Sequence, residues 1–274
     1  MRELFQGRSK TWERVPSGKK LGKNSVHVWT VSFRKDGCDI TQFLQYLSAD
    51  EIMKAERFRF EKDKKRFMTM RSVLRNILCS YLEIGAADIE FCYNQFGKPF
   101  ISETINPRNI SFNASSSHGV ALIAIALEKD IGIDIEYISR DCEHVEIASE
   151  FFSDREQNEF LTLTDATRIE AFYNCWTRKE AFVKAMGEGL SFSLKDFDVS
   201  LAPNYPARIL DIRNIDQKAA DWNLIDINAG CGYKAALAVK GDIGELRYNI
   251  WNYKWLLPCR VERPGFSEGL EIMP

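Results

Sequence analysis

From Val26 to Phe33 the run VHVWTVSF alternates apolar and polar side chains at the two-residue period of a strand, so it predicts the first element of the folded body. Between Ser48 and Glu83 the period changes to that of helices. Ser48-Ala-Asp-Glu51 is a Ser-x-x-Glu capping box that opens the first of them. In FMTMRSVLRNILCSYL, Phe67, Met70, Leu74, Ile77, Leu78 and Tyr81 fall on one stripe with Arg71 and Arg75 beside it, which predicts an amphipathic helix ending near Gly85. Strands follow at IEFCYN, at Ile110 to Asn113, along the apolar run GVALIAIALE and from Ile131 to Tyr137. The second half repeats the order, with helices between Cys142 and Met186 and short strands at Trp222 to Asn228 and Tyr233 to Val239. After Lys240 no clear element is predicted. The fold class is α+β, with two halves of similar size at 25–128 and 129–250. A basic arm at 1–24, a turn at Asp36-Gly37 and a tail at 251–274 complete the organisation.

Composition narrows the classes. The chain has 274 residues, 45% of them apolar, which suffices for one substantial core or two modest ones. Its 37 Lys and Arg nearly cancel its 39 Asp and Glu, so no global field favours nucleic acid or an anionic membrane. Seven scattered cysteines without a C-x-x-C pair indicate neither a disulfide framework nor a zinc site, and a reducing cytoplasm is the natural location. No apolar run is long enough to span a bilayer, and MRELFQGRSKTWER lacks the apolar core of a signal peptide. With three histidines in the chain, carboxylates are the better candidates for metal ligands.

Four segments could carry chemistry. In Ile131-Gly-Ile-Asp134-Ile-Glu136 the isoleucines face one way and Asp134 and Glu136 the other, with their backbones roughly 7 Å apart. Two such carboxylates repel unless a cation sits between them, and oxygen-only ligation suits Mg²⁺; the alternative is an acidic outer strand face. In the helix AFYNCWTRKEAFVKAMGEG, Phe172, Cys175, Phe182, Val183 and Met186 form a buried stripe. Glu180 and Lys184 lie one turn apart on an adjoining face, either as an ordinary surface ion pair or as a ligand and a phosphate-neutralising cation. From Lys54 to Arg75 nine basic residues face three acidic ones, which marks a solvated helix face or a local anion site. Gly97-Lys98-Pro99 is a tight turn that presents one cation, without the spacing of a P-loop.

Taken in order, the basic segment, FGKP, FNAS, GIDIE and WTRKEAFVKAMGEGL resemble the signature blocks of the 4′-phosphopantetheinyl transferases of the surfactin-synthetase-activating type, from about Val28 to Val239. The resemblance implies Mg²⁺-dependent transfer of phosphopantetheine from coenzyme A to a serine of an apo acyl or peptidyl carrier protein, with release of adenosine 3′,5′-bisphosphate. It also implies a monomer of two pseudo-symmetric halves, each a small, mostly antiparallel sheet packed with helices, with the active site in the cleft between them. Asp134, Glu136 and Glu180 match the family's metal-site acids; Glu180 would take the serine proton and Lys184 would stabilise the departing phosphate. Glu156 falls near a further family acid. Lys54, Arg66, Arg71 and Lys98 match positions that bind coenzyme A.

One block departs from the pattern. Where the family has His three residues after Asn, this chain has Ser116, and the nearby histidine is His118. Either a small loop insertion lets His118 reach the same phosphate, or Ser115 and Ser116 bind it through hydroxyl and backbone N–H groups. Two competing functions are a non-catalytic carrier-protein or coenzyme A binding homologue and another Mg²⁺-dependent phosphoryl or nucleotidyl transferase.

Overall fold

The computed structural model describes residues 13–14, 21–33, 44–140 and 142–251. The expectations for most of the basic arm, for the Asp36-Gly37 turn and for the tail beyond Trp251 lie outside these residues. Two compact units emerge: residues 44–89 form the described part of one, and the other described residues form the larger.

In chain order the strands are β1 (Glu13–Arg14), β2 (Ser25–Ser32), β3 (Phe91–Tyr93), β4 (Pro99–Ile101), β5 (Ile110–Ser117), β6 (Val120–Leu127), β7 (Ile131–Tyr137), β8 (Phe197–Val199), β9 (Ile209–Ile212), β10 (Trp222–Asp226), β11 (Tyr233–Lys240) and β12 (Glu245–Ile250). The α-helices are α1 (Ala49–Ala55), α2 (Glu61–Leu82), α3 (His144–Phe151), α4 (Asp154–Thr162) and α5 (Asp165–Met186). This is the mixed fold of sheets and helices that the patterning predicts.

In the smaller unit the capping box forms: Ser48 N–H donates to Glu51 Oε2 at 3.1 Å. The same buried carboxylate accepts from Arg71 Nε and, at 2.7 Å, from Arg75 Nε. Arg75 also donates to the carbonyls of Ala86 and Ile89, each at 2.8 Å, and to Ser48 Oγ at 2.9 Å. The sequence puts Arg75 beside the apolar stripe; the structure buries it, because one carboxylate and two carbonyls far along the chain replace its water. The helix stops at Leu82, with Glu83 in the left-handed region at φ 59°.

The larger unit holds a five-stranded sheet in the order β1-β12-β2-β6-β5 and a three-stranded antiparallel sheet in the order β10-β11-β7. Strand β12, absent from the sequence prediction, pairs in parallel with β2. Its residues Leu246, Tyr248 and Ile250 do alternate, but over too short a run beside Gly241 and Gly244 to stand out. Strand β5 continues to Ser117, four residues beyond its predicted end, because β6 supplies a regular antiparallel partner throughout. One face of each sheet contributes to a shared core: Val26, Val28, Leu122 and Ala124 from one, Ile131, Ile133, Ile135 and Leu237 from the other.

The opposite face of the three-stranded sheet is covered by α5. Ala236 and Ala238 join Phe172, Cys175, Phe182 and Val183 in a second core with α3, α4, β8 and β10. Gly132 permits this packing: a Cβ there would lie 2.1 Å from the Ala181 carbonyl oxygen and 2.3 Å from Ala185 N. The expected apolar stripe of α5 is present except that Met186 is only partly buried, and burial reaches further around the helix to Thr177, Arg178 and Lys179. Among the described residues no helix is long and apolar enough to cross a membrane.

Candidate active site

Strand β7 presents Asp134 and Glu136 on the side away from its buried isoleucines, as the alternation requires. Helix α5 crosses that side with Glu180 and Lys184, drawn close by the missing side chain at Gly132. Asp134 is 1% exposed. Its Oδ1 accepts from Lys184 Nζ at 2.5 Å and from Ser115 Oγ at 2.8 Å, and Lys184 also reaches Ser115 Oγ at 3.2 Å. Asp134 Oδ2 is buried without a hydrogen-bond partner. Lys184 therefore pairs with the strand; among the described residues it makes no ion pair with Glu180, so of the two alternatives left by their spacing the ordinary surface pair is not formed. The pair across to β7 wins because a buried carboxylate gains more from a cation than an accessible one does.

Edge strand β5 supplies the supporting polar groups. Asn113 Oδ1 accepts from Ile133 N at 2.9 Å, Ser115 donates to Asp134, and Ser117 Oγ donates to Glu136 Oε2 at 3.0 Å while accepting Tyr137 N–H at 3.1 Å. These three residues alternate along β5 and meet β7, so the edges of the two sheets join at the carboxylates. Strand β5 pairs with β6 without a bulge from Asn113 to Ser117. His118 sits with Gly119 at the hairpin tip, at φ 41° and 82°, the two positive values of a type I′ turn. Its ring stacks on Tyr137 at 4.6 Å, and Tyr233 O–H donates to its carbonyl at 2.8 Å. Ser116 lies on the strand face opposite Ser115 and Ser117.

Burial first, then the charges of Asp134 and Glu180, push the Glu136 carboxyl above the ordinary carboxylate value; its hydrogen bond to Ser117 and the Lys184 charge oppose this. Burial also raises Glu180, with Lys184 acting against the shift and Asp134 with it. Three carboxylates thus sense one another around one ammonium. Among the described residues no three such groups stand close enough to enclose an ion already. Their chemistry still fits a hard divalent cation: all donors are oxygen, one oxygen of Asp134 is buried and unpartnered, and among the described residues Lys184 is the one cation ion-paired with the group.

The remaining site candidates have partners of their own. Lys98 Nζ donates to the carbonyls of Ile131 at 3.2 Å and Ala185 at 3.0 Å, which ties the start of β7 to the end of α5, and burial lowers its pKa. Asn94 Nδ2 completes this clamp at the Gly187 carbonyl, 2.7 Å away. Glu156 occupies the N3 position of a capping box with Ser153. Its Oε1 accepts from Val199 N at 2.7 Å and its Oε2 from Ser153 N at 2.9 Å, with Lys179 Nζ at 2.8 Å. Lys179 places its other protons on the Leu194 and Phe197 carbonyls, each at 2.7 Å. Glu156 therefore serves the fold, not the Asp134 group. In the smaller unit Lys54 lies over the Phe67 ring at 5.6 Å, and Arg71 binds Glu51. Ser117 and the clamping role of Lys98 escaped the sequence reading; the polar alternation Asn113-x-Ser115-x-Ser117 was the available signal for the former.

A carboxylate group compensated by one lysine, on a strand crossed closely by a helix, defines a site suited to cation-assisted phosphoryl chemistry. Residues 130–238 match the 4′-phosphopantetheinyl transferase superfamily, and residues 32–130 match the 4′-phosphopantetheinyl transferase N-terminal family. The chain is 31% identical to 4′-phosphopantetheinyl transferase HetI of Nostoc sp. over 89% of its own length and 98% of that protein's. It is 31% identical to 4′-phosphopantetheinyl transferase Sfp of Bacillus subtilis over 58% of its length and 69% of that protein's. The holo-[acyl-carrier-protein] synthase of Thermotoga maritima aligns with a TM-score of 0.32 at 23% identity, over 41% of this chain and 62% of that one. The chain belongs to the 4′-phosphopantetheinyl transferase superfamily and is an enzyme of that family.

Proposed function

We propose that this enzyme, of the Sfp-like type, moves the 4′-phosphopantetheine arm of coenzyme A onto a serine of an apo acyl or peptidyl carrier protein, with Mg²⁺, and releases adenosine 3′,5′-bisphosphate. The observation that carries the reading is the unpartnered, buried Asp134 oxygen beside Glu136, Glu180 and Lys184, in a chain similar to HetI over nearly its whole length. Asp134, Glu136 and Glu180 are the residues that would hold Mg²⁺, which when bound polarises a phosphate and offsets charge on the leaving group.

Glu180 makes no hydrogen bond to another described residue, and its raised pKa brings it nearer the working pH of a general base, so it takes the serine proton. Lys184, 30% exposed at its side chain, neutralises the departing phosphate. Lys54, Arg66 and Arg71 bind the phosphates of coenzyme A from the N-terminal half, 25–128, while the half at 129–250 supplies the acidic group. Ser115, Ser116, His118 and Lys98 serve the same cofactor, Ser115 while donating to Asp134 and Lys98 while donating to two carbonyls. The enzyme works as a cytoplasmic monomer.

The test incubates the protein with apo carrier protein, coenzyme A and Mg²⁺ and weighs the carrier. Addition of one phosphopantetheine is expected, and Glu180→Gln should slow it by about 100-fold or more. Failure to modify any of several carriers would overturn the reading.

A further inference from the structure

Ser117 has one hydroxyl proton, and its surroundings decide where that proton points. Its oxygen accepts Tyr137 N–H at 3.1 Å and lies 3.4 Å from His118 Nδ1. On its other side stands Glu136 Oε2, 3.0 Å away, a carboxylate oxygen that accepts. The hydroxyl therefore donates to Glu136. Glu136 Oε1 makes no hydrogen bond to another described residue.

The serine is itself held in place. It is 7% exposed and ends β5 immediately before the hairpin tip. That tip is pinned by the His118 stack on Tyr137 and by the Tyr233 hydroxyl on the His118 carbonyl. A flexible glutamate side chain thus receives a fixed donor from a neighbouring sheet edge. The charges of Asp134 and Glu180 press it away from the group that a cation would need it to join.

We infer that Ser117 is a positioning residue for metal binding: it fixes Oε2 of Glu136 and leaves Oε1 for a divalent cation. This rests on the reading of Asp134, Glu136 and Glu180 as metal-binding carboxylates. Ser117 touches neither substrate nor metal. Its contribution is the rotamer of Glu136 and partial relief of the repulsion on it, the role that outer hydrogen-bonding partners play around metal ligands.

The experiment titrates the full chain with Mn²⁺, following free Mn²⁺ by electron paramagnetic resonance, with Mg²⁺ as competitor. Ser117→Ala should weaken Mn²⁺ binding about 10- to 100-fold, whereas Ser117→Thr, which keeps the hydroxyl, should stay within about threefold of the unaltered protein. Half-saturation by coenzyme A at saturating Mg²⁺ should move less than about twofold in both, a split that general damage to the fold would not produce. Should Ser117→Ala fail to fold, Ser117→Cys, similar in shape but a weak donor, carries the same expectation. Unchanged Mn²⁺ affinity in the folded Ala or Cys variant would overturn the inference, as would a Thr variant as defective as the Ala variant. Absence of Mn²⁺ binding by the unaltered protein, or undiminished binding by Glu136→Gln, would instead overturn the metal reading and this inference with it.

Discussion

Gly132→Ala tests the closeness on which the whole site depends. The added methyl would lie 2.1 Å from the Ala181 oxygen, 2.3 Å from Ala185 N and 2.8 Å from the Lys184 carbonyl carbon. All three atoms are main chain, so no side-chain rotation relieves the contact. To restore an ordinary 3.4 Å to the nearest atom, α5 must retreat from β7 by about 1.3 Å. Overpacking of this kind costs about 1–3 kcal/mol, and a rigid backbone partner puts the cost at the upper end, about 3 kcal/mol. The same retreat opens the 2.5 Å contact between Lys184 and Asp134 and carries Glu180 away from Glu136. A misplacement of this size lowers catalysis about 100-fold. Urea unfolding measures the first effect and the mass shift of a carrier protein the second. Adding Ala181→Gly or Ala185→Gly should rescue neither, because the clash is with their backbones. A Gly132→Ala protein within about 0.5 kcal/mol of the parent and fully active would refute the close-packing argument.

Two further predictions follow from buried charge. Glu156→Gln and Lys179→Met should each cost about 3–5 kcal/mol in urea unfolding, because each leaves a buried group uncompensated. The double variant should cost clearly less than the sum, and strict additivity would refute the pairing seen at 2.8 Å. Glu136 and Glu180 act in the opposite direction. Burial raises both above the ordinary 4.5, so any stability from their protonation is present below that value and lost as pH rises through the folded pKa. Once ionised, the two groups are a net cost in protein stripped of divalent metal. Glu136→Gln and Glu180→Gln should therefore raise the thermal midpoint of the stripped protein; a lower midpoint in both would refute the assignment of strain to these carboxylates.

Much of the site was legible in order and spacing. The alternation in GIDIE determines that three isoleucines face a core while Asp134 and Glu136 share the other side, and the helical period determines that Glu180 and Lys184 lie near one another on α5. These follow because local periodicity fixes the face of an element without knowledge of its neighbours. Partners across long sequence separations did not follow. Whether Lys184 pairs with Glu180 or with Asp134, fifty positions away, depends on how near β7 comes, and Gly132 sets that distance. Glu156 and Lys98 carry charges that suit a metal or a phosphate equally well in the sequence. Tertiary structure gives the first to Lys179 and two backbone N–H groups and the second to two carbonyls. Ser117 gained its place only when β6 extended β5 past Asn113 and brought its hydroxyl to Glu136. The chain alone thus determined which faces carry charge; the packing of strand, helix and sheet edge decided which charges meet, because the energy of a buried polar group depends on the partners that replace its water.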